Sequence, residues 1–141
     1  MAESNQIVLL IEDNVDDERL TLRALRKNNI MNEVIVAYDG EQALQMLMDE
    51  SSALPALIVL DLKLPKLSGF EVLERIRHTP RMALVPTVVL TTSDDRDQIE
   101  KAYQLGANSF IRKPTDPSEF SEMVLQLAMY WLLLNRGPKR S

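Results

Sequence analysis

The sequence predicts an α/β domain in which a doubly wound, five-stranded parallel sheet is covered by five helices. Short apolar runs alternate along the chain with longer amphipathic segments, the pattern of a parallel sheet with helices on both faces. Gly40, Gly69 and Gly106 fall between elements, and Pro55 and Pro86 precede two of the apolar runs. The chain has 141 residues, of which 45% are hydrophobic, enough for one domain with a sizeable core.

The five predicted strands are runs of four or five residues that end abruptly at polar or turn-forming residues. They are Ile7–Ile11, Val34–Ala37, Ala56–Leu60, Thr87–Leu90 and Ser109–Arg112. The last is the weakest by composition, because serine and arginine flank its apolar residues.

The five predicted helices repeat apolar residues at intervals of three and four. They are Asp16–Lys27, Gly40–Met48, Gly69–His78, Gln98–Leu105 and a last helix that begins after Asp116–Pro117 and runs to about Leu134. Asp116 can cap that last helix, and Pro117 suits its first turn. We expect a single domain over 1–141, with a core at about 6–128 and an extended last helix and tail at 129–141.

The composition restricts partners and chemistry. With 16 Lys and Arg against 21 Asp and Glu, the net charge of −5 opposes the phosphate backbone of nucleic acid. With no Cys and one His, a metal site must use carboxylate and carbonyl oxygens, which favour hard divalent cations. No stretch approaches the roughly 20 apolar residues of a membrane span, and the N-terminus lacks a secretion signal. We therefore expect a cytoplasmic protein without nucleic-acid or membrane partners.

Charged and hydroxyl side chains follow four of the five predicted strands. They are Glu12–Asp13, Asp61, Thr91–Ser93 and Lys113–Pro114. Ligands of doubly wound sheets bind outside the carboxyl ends of the strands, so these side chains should converge. Three neighbouring carboxylates resist ionisation unless a cation joins them, and Mg²⁺ or Mn²⁺ would leave positions for phosphate oxygens. Lys113 and Thr91 add donors for a phosphoryl oxygen.

Each of these features also has an ordinary explanation when taken alone. An acidic pair can solvate a loop, Asp61 can be a turn residue, the hydroxyl run can cap a helix and a lysine before proline can lie in solvent. Their joint placement after four strands favours one site, because four separate explanations would have to coincide. The chain has only four glycines and no glycine-rich phosphate loop, so it lacks the backbone loop that usually holds the phosphates of a bound nucleotide.

The chain resembles the receiver domain of two-component response regulators over essentially its whole length. The resemblance rests on Glu12–Asp13, on Asp-Leu-Lys-Leu-Pro-Lys-Leu-Ser-Gly-Phe from Asp61, on Leu-Thr-Thr-Ser from Leu90, and on Gly-Ala-Asn-Ser-Phe-Ile-Arg-Lys-Pro from Gly106. It implies a flavodoxin-like sheet with strand order 2-1-3-4-5. It also implies a signalling protein that receives a phosphoryl group from a sensor histidine kinase and is not a turnover enzyme.

The resemblance assigns a role to each site residue. Asp61 would be the phosphoryl acceptor, and Thr91 and Phe110 the switch residues. The implied ligands of Mg²⁺ or Mn²⁺ are the carboxylates of Glu12, Asp13 and Asp61 and the backbone carbonyl of Lys63. The implied phosphoryl-binding residues are Thr91, Thr92 and Lys113, and the Lys113–Pro114 bond is expected to be cis.

A finer resemblance is to the single-domain regulators of bacterial and cyanobacterial phytochromes. It rests on Ile-Glu-Asp-Asn from Ile11, on Asp16–Asp17, on Leu-Thr-Thr-Ser from Leu90 and on Met-Tyr-Trp-Leu-Leu-Leu from Met129. It implies a bacteriophytochrome-type kinase as the partner and leaves the downstream protein open.

Two other functions account for part of the pattern. A phosphatase of the haloacid dehalogenase type needs a second Asp two residues after its nucleophile as general acid, and Lys63 stands there. A pseudo-receiver that binds partners without being phosphorylated is the main alternative, and the complete set of site residues argues against it. Lys63 and Thr92 depart from the commonest receiver pattern, which predicts an altered phosphoryl lifetime.

The last helix is apolar over more of its surface than one sheet can cover. From Met123 to Leu134 only Gln126 is clearly polar, whereas an apolar stripe of about 100° suffices for one face. Burying each large side chain is worth roughly 1.5–3 kcal/mol, and a contiguous exposed patch commonly marks an interface. The helix end could fold back over its own sheet. We expect instead a homodimer through Trp131, Leu133 and Leu134.

Overall fold

The computed structural model describes residues 6–137 and places one parallel sheet between two layers of helices. The strands are β1 Val8–Ile11, β2 Val34–Ala37, β3 Leu57–Leu60, β4 Thr87–Thr91 and β5 Ser109–Arg112. Their order in the sheet is β2-β1-β3-β4-β5. The predicted fold class and strand order are therefore confirmed.

Five α-helices connect and follow the strands. They are α1 Val15–Lys27, α2 Gly40–Met48, α3 Gly69–Arg77, α4 Arg96–Gln104 and α5 Pro117–Ala128. Helices α2, α3 and α4 cover one face of the sheet, and α1 and α5 cover the other. The register is fixed by this layering, because β1 sends Leu9 and Ile11 to the first layer but Val8 and Leu10 to the second.

Each helix begins at a polar cap just beyond the carboxyl edge of the sheet. The cap residues are Asn14, Asp39, Ser68, Asp95 and Asp116, and the side chain of each accepts a hydrogen bond from a helix N–H. The expected cap of α5 by Asp116 is confirmed. Because Asp95 caps α4, that helix starts at Arg96 instead of the predicted Gln98. The caps bring five helix N-termini to the edge where the candidate site residues lie.

The last helix continues beyond α5 as a π-helical turn over Met129–Leu134. At its end the Asn135 N–H donates to the Tyr130 carbonyl at 2.6 Å. This hydrogen bond joins residues five positions apart, which is the spacing of a π-helix. Leu132 is buried, and Trp131 packs partly buried against the layer formed by α1 and α5. The last helix therefore ends at Leu134, as the sequence predicted, and the part of the predicted tail at 138–141 lies outside the described residues.

Within residues 6–137, no helix is both long and apolar enough to cross a lipid bilayer.

Candidate functional site

The three predicted acidic residues meet at the carboxyl edge, where β1 and β3 are neighbours in the sheet. The backbone ladder continues past the strand ends, since the Asp61 N–H donates to the Ile11 carbonyl at 3.1 Å. The chain turn after each strand then directs the side chains toward one another. Carboxylate oxygens of Glu12, Asp13 and Asp61 all lie within 4.8 Å of one another. Glu12 and Asp61 are buried and Asp13 is exposed, so the cluster opens to solvent on one side.

The Lys113 ammonium lies among these carboxylates. Its Nζ donates to Glu12 Oε1 at 2.7 Å, to Asp61 Oδ2 at 3.0 Å and to Asp17 Oδ2 at 2.8 Å. The Lys113 backbone N–H donates to the Thr91 carbonyl at 2.7 Å, which extends the pairing of β4 with β5 and fixes where the side chain starts. The Lys113 side chain is 5% exposed. Such a buried cation is stable only because anionic partners surround it.

Burial and charge shift the pKa values of this cluster in opposite directions. Burial raises the pKa of Glu12 to about 7, against the opposing effect of its hydrogen bond with Lys113. Burial lowers the pKa of Lys113, but hydrogen bonds to Asp17 and Glu12 and the charge of Asp61 outweigh burial and raise it above the ordinary lysine value. Lys113 therefore stays a cation, whereas burial makes Glu12 easier to protonate than an ordinary glutamate.

The hydroxyl of Thr91 lies buried at the end of β4 and has no hydrogen-bond partner among the described residues. Leaving a buried polar group unpaired costs about 1–3 kcal/mol. The orphaned hydroxyl is a donor free for a ligand oxygen. The next residue, Thr92, is exposed, and its Oγ1 accepts a long contact of 3.5 Å from the Lys63 ammonium. Thr92 and the Lys63 side chain therefore lie at the rim of the site.

The loop after Asp61 is held tightly against the third helix. The Lys63 N–H donates to Asp61 Oδ1 at 3.1 Å, and the Gly69 N–H donates to the Leu62 carbonyl at 2.9 Å. A Cβ at Gly69 would lie 2.5 Å from both the Asp61 carbonyl oxygen and Leu62 Cα. Ser68 and Glu71 add a reciprocal capping box at this helix start. Glycine is thus required at 69 so that α3 can approach the end of β3.

Phe110 and the Lys113–Pro114 bond complete the comparison with the expected site. Phe110 pairs with Val89 in the sheet and packs, partly buried, against the layer of α2, α3 and α4. The expected cis bond at Lys113–Pro114 is wrong, since no peptide bond among residues 6–137 is cis. The trans isomer is the one that X–Pro bonds favour intrinsically, by about 0.5–1 kcal/mol.

Asp17 is the site residue that the sequence reasoning missed. It lies in the first turn of α1, where its N–H donates to the Asn14 cap at 3.0 Å, and its side chain is 21% exposed. The sequence does place an acidic residue three positions after an Asn that can cap a helix. This spacing is equally typical of an ordinary helix start, so it did not indicate a site residue. Only the fold shows that this carboxylate reaches Lys113.

The carboxylate cluster fits a hard divalent cation. The donors are oxygens that lie close enough to share one ion, and the Lys113 ammonium contacts two of the three carboxylates. The set contains no nitrogen or sulfur ligand, so it suits Mg²⁺ or Mn²⁺ better than a soft metal.

The sequence and fold match known receiver proteins along nearly the full chain. The family model of the response regulator receiver domain matches residues 8–125. Response regulator Rcp1 of Synechocystis sp. is 38% identical over 136 residues, which cover 92% of each chain. The probable methanogenesis regulatory protein FilR2 of Methanothrix harundinacea is 37% identical over 140 residues, 97% of this chain and 90% of that protein.

Two crystal structures match over almost the same extent. The phosphorylated cyanobacterial phytochrome response regulator RcpA aligns with a TM-score of 0.91 at 35% identity, covering 96% of this chain and 99% of that one. The Mn²⁺-bound form of Rcp1 aligns with a TM-score of 0.89 at 36% identity, covering 95% and 99%. Receiver domains are phosphoacceptor signalling modules that take a phosphoryl group from a sensor histidine kinase at an acidic site for Mg²⁺ or Mn²⁺, and this chain belongs to the response regulator receiver family.

Proposed function

We propose that Asp61 is the residue on which this receiver domain accepts its phosphoryl group. The observation that carries the proposal is the position of the Lys113 ammonium, which bonds Asp61 and Glu12 together within a cluster of three carboxylates. Asp61 is the member of that cluster in the centre of the sheet edge, at the end of β3. The unpaired Thr91 hydroxyl at the end of β4 supplies a donor on the neighbouring strand.

In the proposed reaction, the bond between phosphorus and the kinase histidine nitrogen breaks while a bond from an Asp61 carboxylate oxygen to phosphorus forms. The imidazole keeps the electron pair of the broken bond. Phosphoryl transfer requires chiefly in-line positioning and neutralisation of the equatorial oxygens. Lys113 supplies a fixed positive charge for one oxygen, and Thr91 donates its hydroxyl hydrogen to another.

Glu12, Asp13, Asp61 and the Lys63 backbone carbonyl would hold the divalent cation. When bound, Mg²⁺ or Mn²⁺ supplies the positive charge that lets an anionic phosphodonor approach an anionic carboxylate.

We propose that phosphorylation changes the surface of the domain through movements of Thr91 and Phe110. Conversion of Asp61 to an acyl phosphate adds roughly one negative charge and new acceptor oxygens. We propose that the Thr91 hydroxyl turns toward these oxygens and that Phe110, which is only partly buried, moves into the space released. The surface formed by α4, β5 and α5 changes shape as a result.

The signal ends when the acyl phosphate on Asp61 is hydrolysed. We propose that the domain hydrolyses its own phosphoryl group, with Lys63 and Thr92 setting the lifetime from the rim of the site. Their mutual contact of 3.5 Å, in an exposed position, supports a shared role for these two side chains.

The proposed donor is a phytochrome-type histidine kinase in the cytoplasm. The support is similarity to RcpA, a cyanobacterial phytochrome response regulator, over 96% of this chain. We propose that the chain acts as one receiver domain, with a core at about 6–128 and an extension over 129–141.

We further propose that the extension forms a homodimer. Leu133 and Leu134 are 60% and 67% exposed. An open groove of about 600 Å³ runs between β5 and the last helix, with Trp131 and Tyr130 in its wall. Trp131 also packs on its own domain, so it would contribute the rim of the interface and the two leucines its centre.

The direct test of the proposed acceptor is phosphorylation by acetyl phosphate with Mg²⁺, followed by intact-mass measurement. The wild type should gain one phosphoryl group, and Asp61→Asn should gain none. Asp95→Asn, which removes a carboxylate at the cap of α4 on the same edge, is the matched control and should be labelled like the wild type. Stoichiometric labelling of Asp61→Asn would contradict the proposal, and an unlabelled wild type would favour a pseudo-receiver.

A further inference from the structure

Lys113 uses all of its hydrogen-bonding capacity in the structure. An ammonium has three N–H donors, and Lys113 Nζ directs them to Glu12, Asp61 and Asp17 at 2.7, 3.0 and 2.8 Å. Two of these partners belong to the cluster of carboxylates that can share a metal ion, and Asp17 does not. The three contacts of Lys113 are therefore not equivalent once the site is loaded.

The contacts of Lys113 with Glu12 and Asp61 would weaken once a metal ion and a phosphoryl group engage these two carboxylates. Both carboxylates would share their negative charge with a bound divalent cation, and phosphorylation would turn the Asp61 carboxylate into the uncharged acyl group of a mixed anhydride with phosphate. Asp17 keeps its full charge through both events, because it is outside the metal cluster and is not the acceptor. It is the anionic partner that can continue to hold Lys113 in place.

Asp17 is itself held in a fixed position. Its N–H donates to the Asn14 cap at 3.0 Å, and its carbonyl accepts a hydrogen bond from the Thr21 hydroxyl at 2.8 Å. It lies in the first turn of α1, a helix that packs against α5. Its side chain is 21% exposed whereas that of Lys113 is 5% exposed, so this ion pair joins a buried cation to a carboxylate that is nearer the surface. A lysine without this partner would be drawn outward by hydration.

We infer that Asp17 is a positioning residue for phosphoryl transfer, which holds the Lys113 ammonium beside Asp61 when the metal and the phosphoryl group engage the other two carboxylates. The inference rests on the proposed role of Asp61. It assigns to Asp17 neither metal binding nor contact with the phosphoryl group. Asp17 should therefore act on the rate of transfer through Lys113.

The adjacent residue provides a matched control. Asp16 also lies in the first turn of α1, and its exposed side chain makes no hydrogen bond or ion pair within the described part of the chain. Asp16→Asn and Asp17→Asn remove the same charge from the same helix terminus. A general electrostatic effect or a helix-dipole effect would be equal in the two variants.

The experiment measures the phosphorylation rate at saturating acetyl phosphate and, separately, the Mg²⁺ dissociation constant. In the reaction the donor's phosphorus–oxygen bond breaks, acetate leaves, and the phosphoryl group bonds to Asp61. Loss of one charge-assisted hydrogen bond should slow Asp17→Asn about tenfold at saturation. Its Mg²⁺ dissociation constant should stay within about threefold of the wild type, and Asp16→Asn should match the wild type in both quantities.

A double-mutant cycle separates positioning of Lys113 from a merely structural role. In a Lys113→Ala background, Asp17→Asn should produce no further loss of rate, because the residue through which it acts is absent. If Asp17→Asn does not fold, as judged by thermal unfolding, Asp17→Ala and Asp16→Ala form the second matched pair with the same expectations.

Three results would overturn the inference: an unchanged rate in Asp17→Asn, an equal loss in Asp16→Asn, or an additive loss in the Lys113→Ala background. Labelling of Asp61→Asn would instead overturn the proposed acceptor. An Asp61-dependent reaction that is indifferent to Asp17 would leave the proposed function intact and remove only this inference.

Discussion

The Nζ of Lys113 lies 3.0 Å from Oδ2 of Asp61, and this contact links the ends of β5 and β3 across the sheet. The two residues are 52 positions apart in the chain, and β4 lies between their strands. The cation offsets one of the negative charges that meet there, so that a cluster of carboxylates can exist in a buried position before any metal binds.

Removal of the Lys113 ammonium should separate metal binding from phosphoryl transfer. Lys113→Ala keeps every proposed metal ligand, so Mg²⁺ should still bind, as measured by titration calorimetry. Phosphorylation by acetyl phosphate should fall by at least tenfold, because a fixed charge at the transferring oxygens is lost. Arg112→Ala, which removes the neighbouring exposed cation, should change neither quantity. Loss of Mg²⁺ binding in Lys113→Ala would show that the amine supports the metal site.

The same substitution should destabilise the metal-free protein. Breaking a buried ion pair by removing one partner costs about 3–5 kcal/mol, and Lys113→Ala leaves Glu12, Asp17 and Asp61 without their shared cation. The midpoint of thermal unfolding should fall without metal and recover in part with Mg²⁺, since a ligand that binds the folded state stabilises it. A variant with the wild-type unfolding midpoint would contradict this account of the cluster.

The stabilisation that Mg²⁺ gives should increase with pH between about 6 and 8. Burial raises the pKa of Glu12 from its ordinary value of 4.5 to about 7. The folded metal-free protein therefore binds a proton more tightly than the unfolded chain, and that contribution to stability is lost as pH rises through about 7. Metal binding requires the deprotonated carboxylate. The rise in unfolding temperature on adding Mg²⁺ should be larger at pH 8 than at pH 6, and Glu12→Gln should flatten that difference.

Substitution of Lys63 should change the phosphoryl lifetime without abolishing phosphorylation. The Lys63 ammonium lies at the rim of the site, 3.5 Å from Thr92 Oγ1, where it can shield the phosphoryl oxygens from attacking water. Lys63→Asn should raise the rate of dephosphorylation several-fold, as followed by intact mass after the donor is removed. Lys66→Asn is the control, because that ammonium is directed toward Asp39 and Glu41 at 3.6 and 3.7 Å. Equal decay rates in the wild type and Lys63→Asn would remove Lys63 from the site.

The proposed homodimer depends on the two exposed leucines at the end of the last helix. Leu133→Ser with Leu134→Ser should convert a dimer into a monomer in light scattering at micromolar concentrations, while leaving phosphorylation of Asp61 intact. Leu84→Ser removes a leucine that is 71% exposed in the connection before β4, and it should leave the dimer unchanged. A wild type that is monomeric with and without phosphorylation would show that these leucines remain in solvent.

The sequence by itself determined the elements and the edge at which the site lies. Residue spacing is a local property, so the boundaries of β2, β5 and α2 agree with those predicted, and the other boundaries differ by two residues or fewer up to Ala128. The convergence of Glu12, Asp13, Asp61 and Lys113 followed from a general rule, because parallel strands place their carboxyl ends on one edge. The resemblance to receiver domains then supplied the individual roles.

Only the tertiary structure decided which of these side chains touch. Asp17 reaches Lys113 from 96 positions away, and its local pattern indicated no more than a helix start. The unpaired hydroxyl of Thr91 at the end of β4 and the π-helical end that buries Leu132 while exposing Leu133 likewise depend on packing between distant elements. Periodicity fixes which face of an element is apolar, but the partner of a given side chain depends on how whole layers pack together, and no local pattern carries that information.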